Sequence, residues 1–593
     1  MTKIKAALEK RFKKHRVLFW YDDKEEFREQ FEELSIKNVE KIQVAGNEFA
    51  IKYRIHKIAP QQHFLLYFTT PKPANEENWL LDMELAYDVF YTDQQALFLQ
   101  ELGLGYHFKE LVGEHFLFFK NKERLEKLKE LLDGDETERA LKYKILAVVF
   151  KTKYTNLETY IHAHGTACAD GDDGFDKELE RYQLADFYWK EIASRYNYEK
   201  ETPSIYDFLI EIFNHNSTFG EKTNLKKEAN YLLSLWKDTV QYRPSFGKIS
   251  TKIAKDIDVE GQLQTATIDE LIQEDAFKII DYKLIGELVQ LITGETMASE
   301  KVLKYIKQRE NKFWYSDFKF LYQSLQYATE IIALVRQYGQ QQYASFDEGT
   351  QHYSSTLQEI DYTYRKFIWN YRQTNQDRIL AELAEKVEKI YATDWLLTYN
   401  DNWQKVVDKL VEWPTQTRKS QQRFFLTNVQ PILAKKQRVF VVISDALRYE
   451  CGVELTKMLQ GENRLQASAD YMISSLPSYT QLGMASLLPH KKLTVKAQSD
   501  TIMADGLSSI GVAGRTKILA TNSGVRATAI RAEEFMKMNA AKEGRAFVKQ
   551  YDLIYIYHNQ IDAAGDNTKS EDKVFEAVES ELQFLVEVTK KVA

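Results

Sequence analysis

The sequence predicts a mixed α/β protein in three parts: a small α/β domain at the N-terminus, a long helical middle and a second α/β domain at the C-terminus. Three observations carry this reading. Short apolar runs alternate with amphipathic stretches over residues 1–115, and apolar residues recur at helical spacing through 116–420. Continuous apolar runs then return at residue 438, inside the third segment, 421–593. With 593 residues the chain is also too long for a single hydrophobic core.

The first segment opens with an amphipathic helix from Ile4 to Lys14, followed by RVLFWYDD, whose apolar run reads as a buried strand. KEEFREQFEEL is helical. NEFAIKYRIH and HFLLYFTT read as strands, the latter stopped by Pro71 and Pro73, and NWLLDMELAYDVF and DQQALFLQELGL read as helices. Asp22 and Asp23 close the first strand. A solvated boundary is the preferred reading there over a receiver-like acidic pocket.

In the middle segment RILAELAEKVEKIY places Leu380, Leu383, Val387, Ile390 and Tyr391 on one helical face. The aromatics of DYTYRKFIWNYR fit a helix seam better than a base-stacking surface. HAHGTACADGDDG (162–174) lacks zinc-ligand spacing and the twelfth-position glutamate of a calcium loop, so a polar loop is expected.

The third segment begins with RVFVVIS, a run of the kind that fills a central parallel strand. ASADYMISSLPSYTQLGMASLLP then reads as a strand, a loop and a small-residue helix. TKILA and DLIYIYH are further strand candidates, and SEDKVFEAVESELQFLVEVTKKVA is a long helix with Ser570 at its N-cap. GVAGRTK (511–517) lacks the GxxxxGK[ST] spacing of a P-loop and reads as a loop before the TKILA strand.

Composition narrows the function classes. A hydrophobic content of 44% with 13% aromatics describes a folded chain, and scarce Gly (24) and Pro (9) favour long helices over turns. The formal net charge of −7 gives no global nucleic-acid signal, so a polyanion site must be a local patch. Two cysteines, Cys168 and Cys451, fit a reducing cytosol rather than a disulfide framework. The apolar run Val17–Tyr21 is too short for a signal peptide, and no apolar span of about 18 residues occurs, so a soluble, cytoplasmic protein is expected.

Ligands of open α/β sheets bind outside the carboxyl ends of strands. Asp445 stands where FVVIS ends, and His558 and Asp562 stand at and beyond the end of DLIYIY. Asp562 and Asp566 are four apart around Gly565, a spacing that lets both reach one ion. Hard oxygen donors of this kind suit Mg²⁺, Mn²⁺ or Ca²⁺, or zinc if histidines join. Thr480 falls at a helix start, where a bound cation would favour its alkoxide for attack on phosphorus. Taken singly, Asp445 is equally a helix cap, Thr480 is more commonly an N-cap, and His558 is a satisfied strand histidine. Their ordered combination is what points to a phosphoryl-transfer site. The sequence has no GxSxG elbow, and Leu447 occupies the position where a haloacid-dehalogenase phosphatase needs its second aspartate.

Three segments in this order, FVVISDALRYECGVEL, SLPSYTQLGMASLLP and YIYHNQIDAAGDNTKSE, resemble the PglZ family, the phosphatase component of BREX phage-defence systems. The N-terminal RVLFWYDDKEEFREQFEEL is similar to the start of the longer, type A branch. The resemblance implies an alkaline-phosphatase-like fold, in a superfamily that uses two divalent metals and a Ser, Thr or similar nucleophile to cleave phosphate, phosphonate or sulfate esters. It implies metal-binding roles for Asp445 and Asp562 and a nucleophile that also touches metal for Thr480. Asp566 takes the place of the histidine in the superfamily D-x-x-x-H motif, which shifts the expected cofactor from Zn toward Mn or Mg.

The superfamily's later strand ending in Asp-His has no counterpart in these residues. After Asp445 the histidines are His490 and His558, and the sequence ends inside the helical pattern VEVTKKVA. The expectation is a C-terminally truncated, incomplete catalytic domain and a chain that is weak or inactive by itself as a metal-dependent phosphoesterase. The alternative is a non-catalytic scaffold with a degenerate phosphatase fold. Membership would bring other BREX proteins as partners, among them a methyltransferase and ATPases, and phage DNA as target, with no membrane role. Two stretches give local basic charge. One holds Arg418, Lys419, Arg423, Lys435, Lys436 and Arg438 without an acid, and the other is 511–550, with eight bases against three acids. Each reads equally as a polyanion-steering face or a solvated one.

Overall fold

The structure is a computed structural model that describes residues 2–91, 94–218, 220–374, 377–415, 417–566 and 573–593. The chain divides into two compact units, Met1–Gln264 and Thr265–Ala593.

The first unit opens with the helix Thr2–Phe12 and a parallel sheet of β1 (Val17–Tyr21), β2 (Val39–Val44), β3 (His63–Phe68) and β4 (Asp88–Tyr91), in the order β2-β3-β1-β4. All five residues of β1 are buried, with Phe19 in one core and Leu18 and Trp20 in the other. That two-sided burial is why the run is continuous rather than alternating. Asp22 is buried, so the expected solvated strand end is corrected. Its carboxylate accepts the N–H groups of Glu26 (3.1 Å) and Phe27 (2.8 Å) and the Tyr67 hydroxyl.

Three further expectations for this unit are corrected. NEFAIKYRIH forms the helix Glu48–Tyr53 and a wider turn, Arg54–Ile58, because Ile51 and Ile55 sit four apart in the core while Phe49 and Tyr53 face out. The strand lies earlier, at β2, and the end of NWLLDMELAYDVF is β4 rather than helix. HAHGTACADGDDG is mostly the helix Leu157–Ala169, capped by the Asn156 side chain on the Thr159 N–H (2.9 Å). His162 and His164 are buried in it, the first bonded to the Leu232 carbonyl (2.9 Å) and the second to the Tyr188 hydroxyl (3.3 Å).

The second unit begins with helices, the longest being Tyr315–Tyr338. Its sheet runs β5 (Val439–Ser444), β10 (Leu553–His558) and β9 (Ala527–Arg531), in the order β5-β10-β9 and all parallel. A small antiparallel sheet, β6 (Leu493–Val495), β7 (Ile502–Ala504) and β8 (Leu507–Ser508), lies between them in sequence. β10 is central and buried along its whole length. Leu553, Tyr555 and Tyr557 face one core, while Ile554 and Ile556 face another closed by Val588 of the helix Val574–Val592. Each such aliphatic side chain contributes about 1.5–3 kcal/mol of burial.

Here too the sequence expectation is corrected. TKILA belongs to the helix Gly511–Asn522, since Arg515, Ile518 and Leu519 are buried at i, i+3 and i+4, and β9 is the strand beyond it. ASADYMIS forms no strand beyond one bridge between Ile473 and Ser420. Ser570 lies outside the described residues.

The helix Gln358–Gln373 is tied to this sheet through a buried ionic cluster. Arg365 donates to Glu450 (2.9 and 3.1 Å), Glu454 and Glu579, and Lys366 pairs with Glu454 and Glu579 (both 2.6 Å). Glu450 and Glu454 stand on Tyr449–Gln460, the helix that follows Asp445.

Candidate functional site

Asp445 continues β5 by one residue. Its N–H donates to the His558 carbonyl at 2.8 Å, so the chain stays in register with β10 until the carboxylate is delivered at the sheet edge. Ala446 then turns in the left-handed region, at φ 59°. The next helix starts at Tyr449, with Arg448 at its N-cap and no side-chain cap. Asp445 is therefore not that helix's cap; its Oδ1 accepts the N–H of Ala446, at 3.1 Å. Burial pushes its carboxyl above the usual range, the Asp562 charge adds to this, and Ala446 and Arg515 oppose it.

Thr480 opens the helix Thr480–Ser486, with Tyr479 at the N-cap in extended conformation and no side-chain cap bond. The threonine hydroxyl is thus not spent as a cap. Asp562 sits in the first turn of Gln560–Gly565, the helix that leaves β10. Burial, then the nearby Asp566 charge, pushes its carboxyl up. Asp566 is exposed just past that helix, its N–H bonded to the Asp562 carbonyl at 2.9 Å.

Asp445, Thr480 and Asp562 line one cavity of about 580 Å³ and a second of about 390 Å³. Asp566 lines neither. The larger cavity brings in Arg515, Arg531 and Lys537 beside Glu533 and Glu534, and the smaller is walled by Ser474, Ser475, Ser478 and Tyr479. His558 lines the larger cavity but has both ring nitrogens engaged, Nδ1 with Ser444 Oγ (2.9 Å) and Nε2 with Glu581 (2.8 Å). It clamps β5, β10 and the last helix together.

Two carboxylates and a hydroxyl are in kind the donors a hard divalent cation takes. Among the described residues, however, no three His, Cys, Asp or Glu side chains gather closely enough to hold an ion. The donors fit in type and fall short in number.

The sequence reading missed Arg515, Arg531, Glu533 and Lys537 as individual residues. The signal was the base-rich stretch 511–550, which supplies all three cationic wall residues. The six bases of the earlier stretch line neither cavity; Lys419, for one, is paired with Asp470.

Comparison with known proteins bears on the same segment. Residues 424–593 match the family described as the BREX system PglZ alkaline phosphatase-like domain. The chain is 29% identical to "Alkaline phosphatase-like protein BrxZ" of Escherichia coli O9:H4 (strain HS), over 99% of its own length and 72% of that protein. It is 28% identical to "Alkaline phosphatase-like protein PglZ" of Bacillus cereus (strain H3081.97), over 96% of its own length and 68% of the relative's. No solved structure matches the chain.

Proposed function

We propose that the chain, whose residues 424–593 match the BREX system PglZ alkaline phosphatase-like domain, is a metal-dependent phosphoesterase component of an antiphage defence system. One observation supports this most: Asp445, Thr480 and Asp562 line a single cavity at the carboxyl ends of adjacent parallel strands.

Asp445 and Asp562, with Asp566 nearby, are the residues that would hold Zn, Mn or Mg, two ions in the complete site. Such an ion supplies Lewis acidity and favours the alkoxide of a bound alcohol. Thr480 offers the attacking oxygen, free of any capping duty. Arg531 and Lys537 at the wall give a phosphodiester a cationic approach beside the four acids. The natural setting is the cytoplasm, with other BREX proteins such as the methyltransferase and ATPases as partners and DNA as the polyanion. No described helix is long and apolar enough to cross a membrane. We assign this chemistry to 421–593 and partner contacts to 1–115 and 116–420.

The short donor set favours a second reading, a scaffold with a degenerate site, in which the chain alone turns over slowly or not at all. Calorimetry with Mn²⁺ and Zn²⁺, paired with hydrolysis of bis(p-nitrophenyl) phosphate, separates the two. Saturable metal binding lost in Asp445→Ala, with any turnover lost in Thr480→Ala, supports the enzyme. Absence of metal binding by the wild-type chain favours the scaffold.

A further inference from the structure

The helix Glu48–Tyr53 and the turn Arg54–Ile58 present two faces of the same apolar character, one to the core and one to water. Ile51 and Ile55 pack in one buried cluster with Leu80 and Met83, while Phe49 and Tyr53 point away from it. The neighbouring helix Leu81–Ala86 repeats the arrangement, with Met83 buried and Leu85 exposed.

Two contacts fix how these segments lie. The rings of Phe49 and Trp79 meet with centroids 5.2 Å apart, and the Lys52 amine pairs with Asp82 at 2.7 Å. Both pairs have the same spacing in sequence, so the two segments run side by side in one direction, and Tyr53 and Leu85 continue the row. The result is an apolar strip of Phe49, Tyr53, Trp79 and Leu85, with Ile58 at its far end, each residue 60–79% exposed.

Single exposed apolar side chains are ordinary, whereas a contiguous strip marks a contact surface. Three of these five are aromatic, the class that anchors the centres of protein interfaces. Ile51 and Ile55 already hold the helix to the core, so the outward rings add nothing to that anchorage.

The charges around the strip are sorted by end. Glu76 and Glu77 are exposed at the Trp79 end, and Lys57 is exposed at the Ile58 end, roughly 12 Å of helical rise beyond Phe49. Among the described residues these three form no ion pair, while Lys52 and Asp82 in the middle neutralise each other and Arg54 is taken by Glu40. A strip that is acidic at one end and basic at the other complements its own copy turned end for end.

We propose that this strip is a homodimer interface: two copies of the chain pack their Phe49–Trp79 faces together across a twofold axis, with Glu76 and Glu77 of one facing Lys57 of the other. The interface is independent of the phosphoesterase reading. Its residues lie in the unit Met1–Gln264, and those of the catalytic cavity lie in Thr265–Ala593.

The test is sedimentation equilibrium of the full chain over a range of concentrations. Wild type is expected to follow a monomer–dimer equilibrium, and Phe49→Ser and Trp79→Ser each to weaken it by about tenfold or more. Tyr231→Ser, which removes another exposed ring of the same unit, is expected to leave it within about twofold. Lys57→Glu should weaken the dimer by about fivefold, and adding Glu76→Lys and Glu77→Lys should return it to within about twofold of wild type. A wild type that stays monomeric, a dimer untouched by both serine variants, or a charge swap that restores nothing overturns the interface. Photo-crosslinking in cells from Tyr53→p-benzoylphenylalanine identifies the occupant: a crosslinked pair of copies supports the homodimer, and attachment only to a different protein overturns it.

Discussion

The N–H of Asp445 and the carbonyl of His558 meet at 2.8 Å, one residue beyond the last register pair of β5 and β10. This bond makes the carboxylate part of the sheet rather than of a loop. It also couples the site to His558, whose two ring nitrogens bridge Ser444 and Glu581.

Replacing His558 with alanine is therefore expected to act on stability before it acts on ligands. It opens a cavity at a 1% exposed position and leaves the Ser444 hydroxyl and the Glu581 carboxylate without their imidazole. The combined cost is about 2–4 kcal/mol, read as a lower midpoint in urea. Mn²⁺ affinity measured below that midpoint should stay within about threefold. A loss of metal binding with no change in midpoint would show that His558 is a ligand after all.

The two site carboxyls give a pH dependence with a defined sign. Asp445 and Asp562 are both raised, by burial first and by a neighbouring aspartate second. A raised folded-state value means that protonation favours the fold, so their contribution is greatest at acid pH and is lost as pH rises through the raised carboxyl values. Asp445→Asn is expected to raise the thermal midpoint at neutral pH, by about 0.5–1 kcal/mol, as removal of a functional charge often does. That gain should vanish below the carboxylate range. Mn²⁺ should raise the midpoint of wild type and not of the variant. An Asp445→Asn variant less stable than wild type at pH 7 would contradict this.

What the sequence disclosed follows from how each element is specified. Runs buried on both faces, such as VLFWY and LIYIY, were legible because nothing but a central strand or a buried helix tolerates them, and their length chose the strand. TKILA failed the same test because three apolar residues fit either form. Arg515 and the preceding glycines settle it in three dimensions, through burial at helical spacing and the close approach to Ser508. The placement of Asp445 and Asp562 beyond the ends of β5 and β10 was legible because each follows a buried apolar run. The spacing of Asp562 and Asp566 suggested a shared ion, but the intervening helix leaves Asp566 off the cavity wall. The larger cavity's cationic wall is assembled from three separate places in 511–550; the base-rich composition of that stretch signals it, but no spacing picks out the three residues.

Arg365 offers a direct measure of how far the helical layer supports the site. It is 2% exposed and is shared among Glu450, Glu454 and Glu579. Arg365→Met should cost about 3–5 kcal/mol, because Glu450 stays buried without its cation. Adding Glu450→Met should recover a substantial part of that loss, since replacing both partners removes the uncompensated charge. Purely additive losses in urea unfolding of the two single variants and the double variant would show that the pair is not coupled.

Gly514 provides the last expectation, and it separates a steric obstacle from backbone strain. An alanine there must displace the Ser508 carbonyl, which a Cβ would approach to 2.6 Å. Because the obstacle is backbone and not a flexible side-chain end, the variant should lose about 1–3 kcal/mol. Gly511→Ala meets no atom within 4 Å, but it must hold φ 62°, at about 1–2 kcal/mol. Urea unfolding of the two variants checks both values. An unchanged midpoint for Gly514→Ala would show that the helix does not press on the Ser508 turn, and an unchanged midpoint for Gly511→Ala would show that the helix start does not need the left-handed conformation.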